Sequence, residues 1–379
     1  MGVIRLFKFG LLICWCISCP AQKVSTFVQS YSDIDESLFQ SSNGILYGTG
    51  YLSGSLYIFN TEGVTPVLNS LDHPSEMAEL SSGAIAIAES QGNRISLYDP
   101  STSSHQILTN DILNPAGLIN LLDSDTLLVS STSTNDIYKV FPNGDTSLYL
   151  SNYILDTPVS FVWDDFNNLY IANYASGVIA KKTSENIVTE FCILPTTSLG
   201  HIIKIGNYIY ATGVFDHRIY QVNIATGVWD LFAGSTKGMI DGDISAAKFD
   251  TPNGIVASQT GDSLYISEYN TQSVRLISGI SMATGIDLLN ERVSSSSITV
   301  WPSPIRRTFS IELQGYNGSI FPELYTAMGT KMEVEVDIQQ SSQNTYHGSI
   351  IGSLTTGVYF LKVIHETGIE SKKIIIKND

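Results

Sequence analysis

Beyond its first nineteen residues this chain holds a single cysteine, Cys192. No disulfide can form within that remainder, so folding rests on packing alone. Cys192 lies in the apolar run Phe191-Cys192-Ile193-Leu194, where a buried, inert thiol is expected. Basic residues are also scarce, 20 Lys and Arg against 36 Asp and Glu, for a formal charge of −16. That balance argues against nucleic acid or an anionic membrane surface as partner, since each needs a basic patch. Beyond Ala21 there is no His-Glu-x-x-His, Cys-x-x-Cys, Gly-x-Ser-x-Gly or phosphate-binding glycine loop. No long stretch carries a sustained helical period.

What is present is a recurring phrase. Leu46-Tyr47-Gly48-Thr49, Ile85-Ala86-Ile87-Ala88, Leu127-Leu128-Val129-Ser130, Leu169-Tyr170-Ile171-Ala172, Ile209-Tyr210-Ala211-Thr212 and Leu264-Tyr265-Ile266-Ser267 share one pattern. Their second positions are 39, 42, 42, 40 and 55 residues apart. A period near forty built from strand-like pieces is that of a propeller blade. Most units open on a proline turn (His73-Pro74, Asn114-Pro115, Thr157-Pro158, Thr251-Pro252), followed by an apolar strand and a turn of Asp, Asn and Gly. The repeated phrase comes next, then an alternating strand such as Arg94-Ile95-Ser96-Leu97-Tyr98, then a weaker fourth strand.

Six such units predict an all-β, six-bladed β-propeller. The last unit lacks a fourth strand after Ile277, and Lys23-Val24-Ser25-Thr26-Phe27-Val28 is expected to supply it and close the ring. The sixth unit, with Asp241-Gly242-Asp243, Ala247-Lys248-Phe249, Pro252-Asn253-Gly254-Ile255, Leu264-Tyr265-Ile266-Ser267 and Val274-Arg275, resembles a blade of the NHL-repeat propellers. That resemblance covers about residues 24–280 and speaks for fold far more than for function.

The two ends read differently. Arg5 and Lys8 precede an apolar run from Phe9 to Ile17, and Cys19-Pro20-Ala21 supplies small residues, as in a secretory signal peptide cleaved after Ala21. A lipoprotein signal is the alternative; Cys14 and Cys16 follow bulky residues, which leaves Cys19 as its only acceptor. After a serine run at Ser294-Ser295-Ser296-Ser297 the chain opens a second module with Val300-Trp301-Pro302-Ser303-Pro304. It continues through Leu354-Thr355-Thr356-Gly357-Val358-Tyr359-Phe360-Leu361-Lys362-Val363 to Lys372-Lys373-Ile374-Ile375-Ile376-Lys377. This tail resembles the C-terminal sorting domain of type IX secretion substrates of Bacteroidetes-type bacteria, with Ser303 where that family usually has Asn. The resemblance implies type IX machinery as a partner through residues 298–379, export, and a secreted or surface location rather than integration in a membrane. The expected organisation is a signal peptide at 1–21, the propeller at 22–280, a linker at 281–297 and an immunoglobulin-like β-sandwich at 298–379.

Candidate chemistry would sit where the blade loops converge on the channel. Aligned turns before the first strands give Ser75-Glu76, Ala116-Gly117, Val159-Ser160, Leu199-Gly200 and Asn253-Gly254, of which Glu76 and Asn253 are the strong ligand types. Asn253 also matches the metal-site motif of the gluconolactonase-like propellers, a resemblance that implies a metal of the Ca²⁺ type. The loops after the repeated phrase add Glu89, Asn173, Asp216, His217 and Glu268. An Asp or Asn there is also an ordinary turn residue, and the equivalent places of Glu89 and Glu268 favour a structural role. Asp216 beside His217 offers a general base, set against a plain surface histidine. Two functions follow as expectations. One is a non-catalytic surface module binding protein, peptide or glycan at the channel mouth. The other is a metal-dependent lactonase or lyase using Glu76, Asn253 and Asp216.

Overall fold

The computed structural model describes residues 22–29, 33–60, 63–122 and 124–280 and, in shorter pieces, most of 298–377; the expected signal peptide and linker lie outside the described residues. The chain divides into two compact units, 1–282 and 283–379.

In the first unit each forty-residue repeat is one antiparallel sheet, and six sheets form the blades. Blade I runs from Leu38 to Asn69, blade II from Pro74 to Thr109, blade III from Pro115 to Ser151, blade IV from Pro158 to Ile193 and blade V from Leu199 to Gly234. Blade VI takes three strands from Pro252 to Ser278. Each inner strand lies against those of the two neighbouring blades, and the ring closes between Pro252–Ala257 and Leu38–Gln40. The repeated phrase forms the second strand of every blade. It is buried along its length in blades I to IV because blades cover both of its faces. The tyrosines Tyr47, Tyr170 and Tyr210 therefore belong to the packing between blades.

The prolines stand first in their inner strands, where a missing N–H breaks no ladder bond. The residues before them, His73, Asn114, Thr157 and Thr251, have φ between 44° and 62°. Thr157 and Thr251 are β-branched, so this backbone is strained and must be held. It is held from two sides. Asn93 Oδ1 accepts from Asn114 N at 2.7 Å, Asn135 Oδ1 from Thr157 N at 2.7 Å, and His217 Nδ1 from Thr251 N at 3.0 Å. The carbonyls of Asn114, Thr157 and Thr251 in turn accept from Thr132, Tyr174 and Tyr269. Three blade junctions thus use one staple.

Blade VI is completed by Lys23–Val28, which pairs antiparallel with Ser273–Ser278. On its other side the same strand pairs with the two-residue strand Gly242–Asp243, so the long 55-residue step supplies a backing for the closure. Arg275, fully buried, ties these pieces together. It donates to Asp241 at 2.6 Å, to Glu268 at 3.1 Å and to the carbonyls of Ile240 and Lys248. Asp241 also accepts from the backbone N–H of Thr26 at 2.9 Å.

The second unit has one sheet of four strands and one of three. Ile311, Leu313 and Tyr346 of the first sheet share a core with Leu324, Leu361, Val363 and Ile376 of the second, which makes it a β-sandwich.

Candidate functional site

The inner strands carry a β-bulge near their start in blades II to VI, between Pro74 and Met77, Pro115 and Leu118, Pro158 and Ser160, Leu199 and Ile202, and Pro252 and Ile255. A bulge re-aims side chains, and here it turns two successive positions toward the channel. Paired register gives Ser37, Glu76, Gly117, Ser160, His201 and Gly254 at the deeper position, and Glu36, Ser75, Ala116, Val159, Gly200 and Asn253 at the outer one.

Glu76 reaches across the channel. Its Oε2 accepts from Leu118 N of blade III at 2.7 Å, and its Oε1 accepts from Ser160 Oγ of blade IV at 2.8 Å. Ser160 Oγ accepts in turn from Ile202 N of blade V at 3.3 Å. These bonds stand where the repeated phrase ends in alanine, Ala88 and Ala172. In blades I, V and VI, where it ends in Thr or Ser, that hydroxyl makes the link instead, while Ser130 of blade III accepts from Gly117 N of its own blade. Thr49 Oγ1 donates to Ser75 O at 3.2 Å, Thr212 Oγ1 to Asn253 O at 2.6 Å, and Ser267 Oγ to Glu36 O. Gly254 allows this last approach, since a Cβ there would lie 2.2 Å from Glu36 O.

Asn253, the other strong candidate, donates through Nδ2 to Glu36 Oε2 at 2.8 Å. Blade I has no proline turn; Asp35 takes its place, and its Oδ1 accepts from Tyr51 N at 2.7 Å. Burial pushes the Glu36 and Glu76 carboxyls up to about 8 and Asp35 up to about 6. The charge of Asp35 adds to the rise at Glu36, and that of Glu36 to the rise at Glu76. His201 is 3% exposed, and burial holds its imidazole down at about 4, neutral near pH 7. Its Nδ1 lies 3.3 Å from Asn253 O, an acceptor, so Nδ1 carries the hydrogen. Its buried Nε2 has no partner.

The loops following the second strands surround this channel. Tyr51, Tyr174 and Tyr269 hold one register position in blades I, IV and VI. Charge at Glu36 raises the Tyr174 and Tyr269 hydroxyls, after the larger effect of burial. On the same end of the propeller Tyr153 is 92% exposed and Phe215 64% exposed.

The other sequence candidates are placed away from this cluster. Glu89 and Glu268 are fully buried. Glu89 accepts from Asp72 N and Arg94, and Glu268 from Asp250 N and Arg275. Asn173 accepts from Asp156 N at 2.9 Å in the same register. Asp216 accepts from Thr196 Oγ1 at 2.7 Å and from the Tyr220 hydroxyl, within blade V. His217 is the staple to Thr251 already described. Glu76 and Asn253 share the channel; Asp216, His217, Asn173 and Glu268 are bound into turns.

The donor set falls short of a calcium site. Ca²⁺ takes six to eight oxygens. Both oxygens of Glu76 accept from the protein, and Glu36 is bonded by both Asn253 and Ser75. Among the described residues no three His, Cys, Asp or Glu side chains stand together as a metal group.

Asp35, Glu36 and His201 escaped the sequence reading. The first unit has no proline turn to align, and the fifth pairs one residue later than its neighbours. A usable signal was the spacing within a unit: Ser75 and Val159 precede Ala86 and Tyr170 by eleven residues, and eleven before Tyr47 is Glu36.

Residues 299–377 match the family of secretion system C-terminal sorting domains. No curated protein matches the chain in sequence. An auxiliary nutrient binding protein from Bacteroides thetaiotaomicron is similar in structure, with TM-score 0.59 and 15% identity, over 68% of this chain and 76% of that chain. Virginiamycin B lyase from Staphylococcus aureus gives TM-score 0.52 and 14% identity over 68% of this chain and 99% of that chain. A gluconolactonase from Xanthomonas campestris gives 0.51 and 11% over 69% and 95%. At these identities the likeness establishes the fold alone. That fold is a β-propeller, and the sorting tail at 299–377 implies export, to the surface or the medium. No helix among the described residues is long and apolar enough to cross a membrane.

Proposed function

We propose that this chain is an exported, non-catalytic binding module that takes an extracellular peptide or glycan at the tyrosine-framed channel mouth. One observation carries the reading. Tyr51, Tyr174 and Tyr269 frame a polar channel whose strongest candidate catalyst, Glu76, is bound at both oxygens by Leu118 N and Ser160. Tyrosines present broad, rigid faces with a polar edge, suited to sugar rings and peptide side chains. The similarity to an auxiliary nutrient binding protein supports binding, while the lyase and gluconolactonase relatives favour the alternative of metal-dependent hydrolysis or elimination.

The test is binding of the signal-free chain to peptide and glycan panels, repeated with Tyr51→Ala, Tyr174→Ala and Tyr269→Ala. Loss of the ligand in these variants at unchanged melting temperature is expected. Retention of binding in all three would remove the mouth from consideration. Turnover of a lactone that depends on added Ca²⁺ would favour the enzyme.

A further inference from the structure

The free valences in the channel are of one kind. Asn253 uses Nδ2 on Glu36 and leaves Oδ1 open. His201 carries its hydrogen on Nδ1, so the buried, partnerless Nε2 is a bare acceptor. The Ser160 hydroxyl hydrogen goes to Glu76. An orphaned acceptor this deeply buried calls for a donor.

The charges point the same way. Asp35 and Glu36 from blade I and Glu76 from blade II face Asn253 of blade VI, His201 of blade V and Ser160 of blade IV. Tyr51, Tyr174 and Tyr269 stand at the rim. Among the described residues no ion pair reaches Asp35, Glu36 or Glu76. The only imidazole among these groups is neutral near pH 7. Asp35, Glu36 and Glu76 thus interact pairwise with no basic side chain paired to them, near the open acceptors of Asn253 and His201 and under a tyrosine rim.

We infer that the channel binds a peptide through a lysine or arginine side chain. The cationic head is held by Glu36, Asn253 Oδ1 and His201 Nε2, and the stem lies along Tyr51, Tyr174 and Tyr269. This rests on the binding reading above and names its ligand. A slender side chain suits the site because its acceptors sit on inner strands, below loops that carry the tyrosines. Aromatic rims favour such cations further.

Binding has a proton balance. With its carboxyl near 8, Glu36 is mostly protonated at pH 7 in the free protein. A cation stabilises the carboxylate, so the proton leaves for solvent as the ion pair forms. Affinity therefore rises with pH up to about 8 and then levels off, and proton release vanishes above that point.

The experiment is calorimetry of the signal-free full chain with acetyl-Gly-Lys-Gly-amide, its Nε-acetylated form, and glucosamine. Each is titrated at pH 7.0 in two buffers of different ionisation enthalpy and again at pH 9.0. The lysine peptide is expected to bind, to release protons at pH 7.0 and not at pH 9.0. The acetylated form is expected to bind at least about tenfold more weakly. Glu36→Gln should lower lysine-peptide affinity about tenfold or more and reduce the proton release. The wild-type proton count stands independently if that variant folds poorly.

Equal binding of the two peptides, or binding without proton release at pH 7.0, overturns the inference. So does a preference for glucosamine, which would assign the site to an amino sugar. A neutral peptide or glycan displaced by the tyrosine substitutions would leave the mouth-binding reading standing while the cation fails. No ligand at the mouth from any panel would sink both.

Discussion

Ser160 Oγ donates to Glu76 Oε1 at 2.8 Å, joining blades II and IV across 84 residues of sequence. The same carboxylate accepts from Leu118 N of blade III. A residue placed by its type among metal ligands therefore spans three blades.

Glu76→Ala leaves Leu118 N and the Ser160 hydroxyl without an acceptor in a buried setting. It is expected to cost about 1–3 kcal/mol. Glu76→Gln keeps an acceptor oxygen and is expected to cost less. Urea unfolding at pH 6 compares the two; equal stability of both with wild type would contradict the linking role.

Asp35, Glu36 and Glu76 have folded values above the ordinary carboxylate range, at about 6, 8 and 8. The folded state then holds protons that the unfolded chain has released. Their stabilising contribution is complete below the ordinary range and is lost progressively from that range up to about 6 for Asp35 and about 8 for Glu36 and Glu76. Each group adds a slope of at most about 1.4 kcal/mol per pH unit in that window. Urea midpoints should fall from pH 5 to about 8 and level off above it, and Glu76→Gln should flatten the fall.

Arg275→Met strips the buried partner from Glu268 and breaks the ion pair to Asp241, which keeps its bonds to Thr26 of the closing strand. Leaving a buried carboxylate unpaired costs about 3–5 kcal/mol. Removal of the exposed Lys237 from its pair with Asp250 should cost no more than about 1 kcal/mol. Deleting residues 22–28 opens the sheet edge at Ser273–Ser278 and should lower the melting temperature at least as much as Arg275→Met. An unchanged melting temperature would rule out closure by this strand.

His217 occupies the place that Asn93 and Asn135 hold at other junctions. His217→Asn is therefore expected to retain stability, and His217→Ala to lose about 1 kcal/mol. If His217 is instead a general base, His217→Asn will abolish an activity while leaving the melting temperature intact.

A chain ending at Gly279 lacks the match to the sorting family at 299–377. It is expected to accumulate in the periplasm, whereas the full chain reaches the surface or the medium. Fractionation and immunoblotting of the two forms would decide, and export of the shortened form would defeat the assignment.

The architecture was legible because its signals are local. The repeated phrase, the proline turns and the alternating third strands each act within a few residues, and strand periodicity survives in one dimension. The acceptor-lined channel is not local. It needs Glu36, Glu76, Ser160, His201 and Asn253 from five blades, the last four of them on inner strands whose bulges shift register by one place. Glu89 and Glu268 looked alike in sequence, and the arginine beside each, Arg94 and Arg275, explains why. The repeat that determined six blades could not say which positions face the axis. The tertiary structure decided that, because ring closure brings distant carboxylates close enough to raise one another's proton affinity.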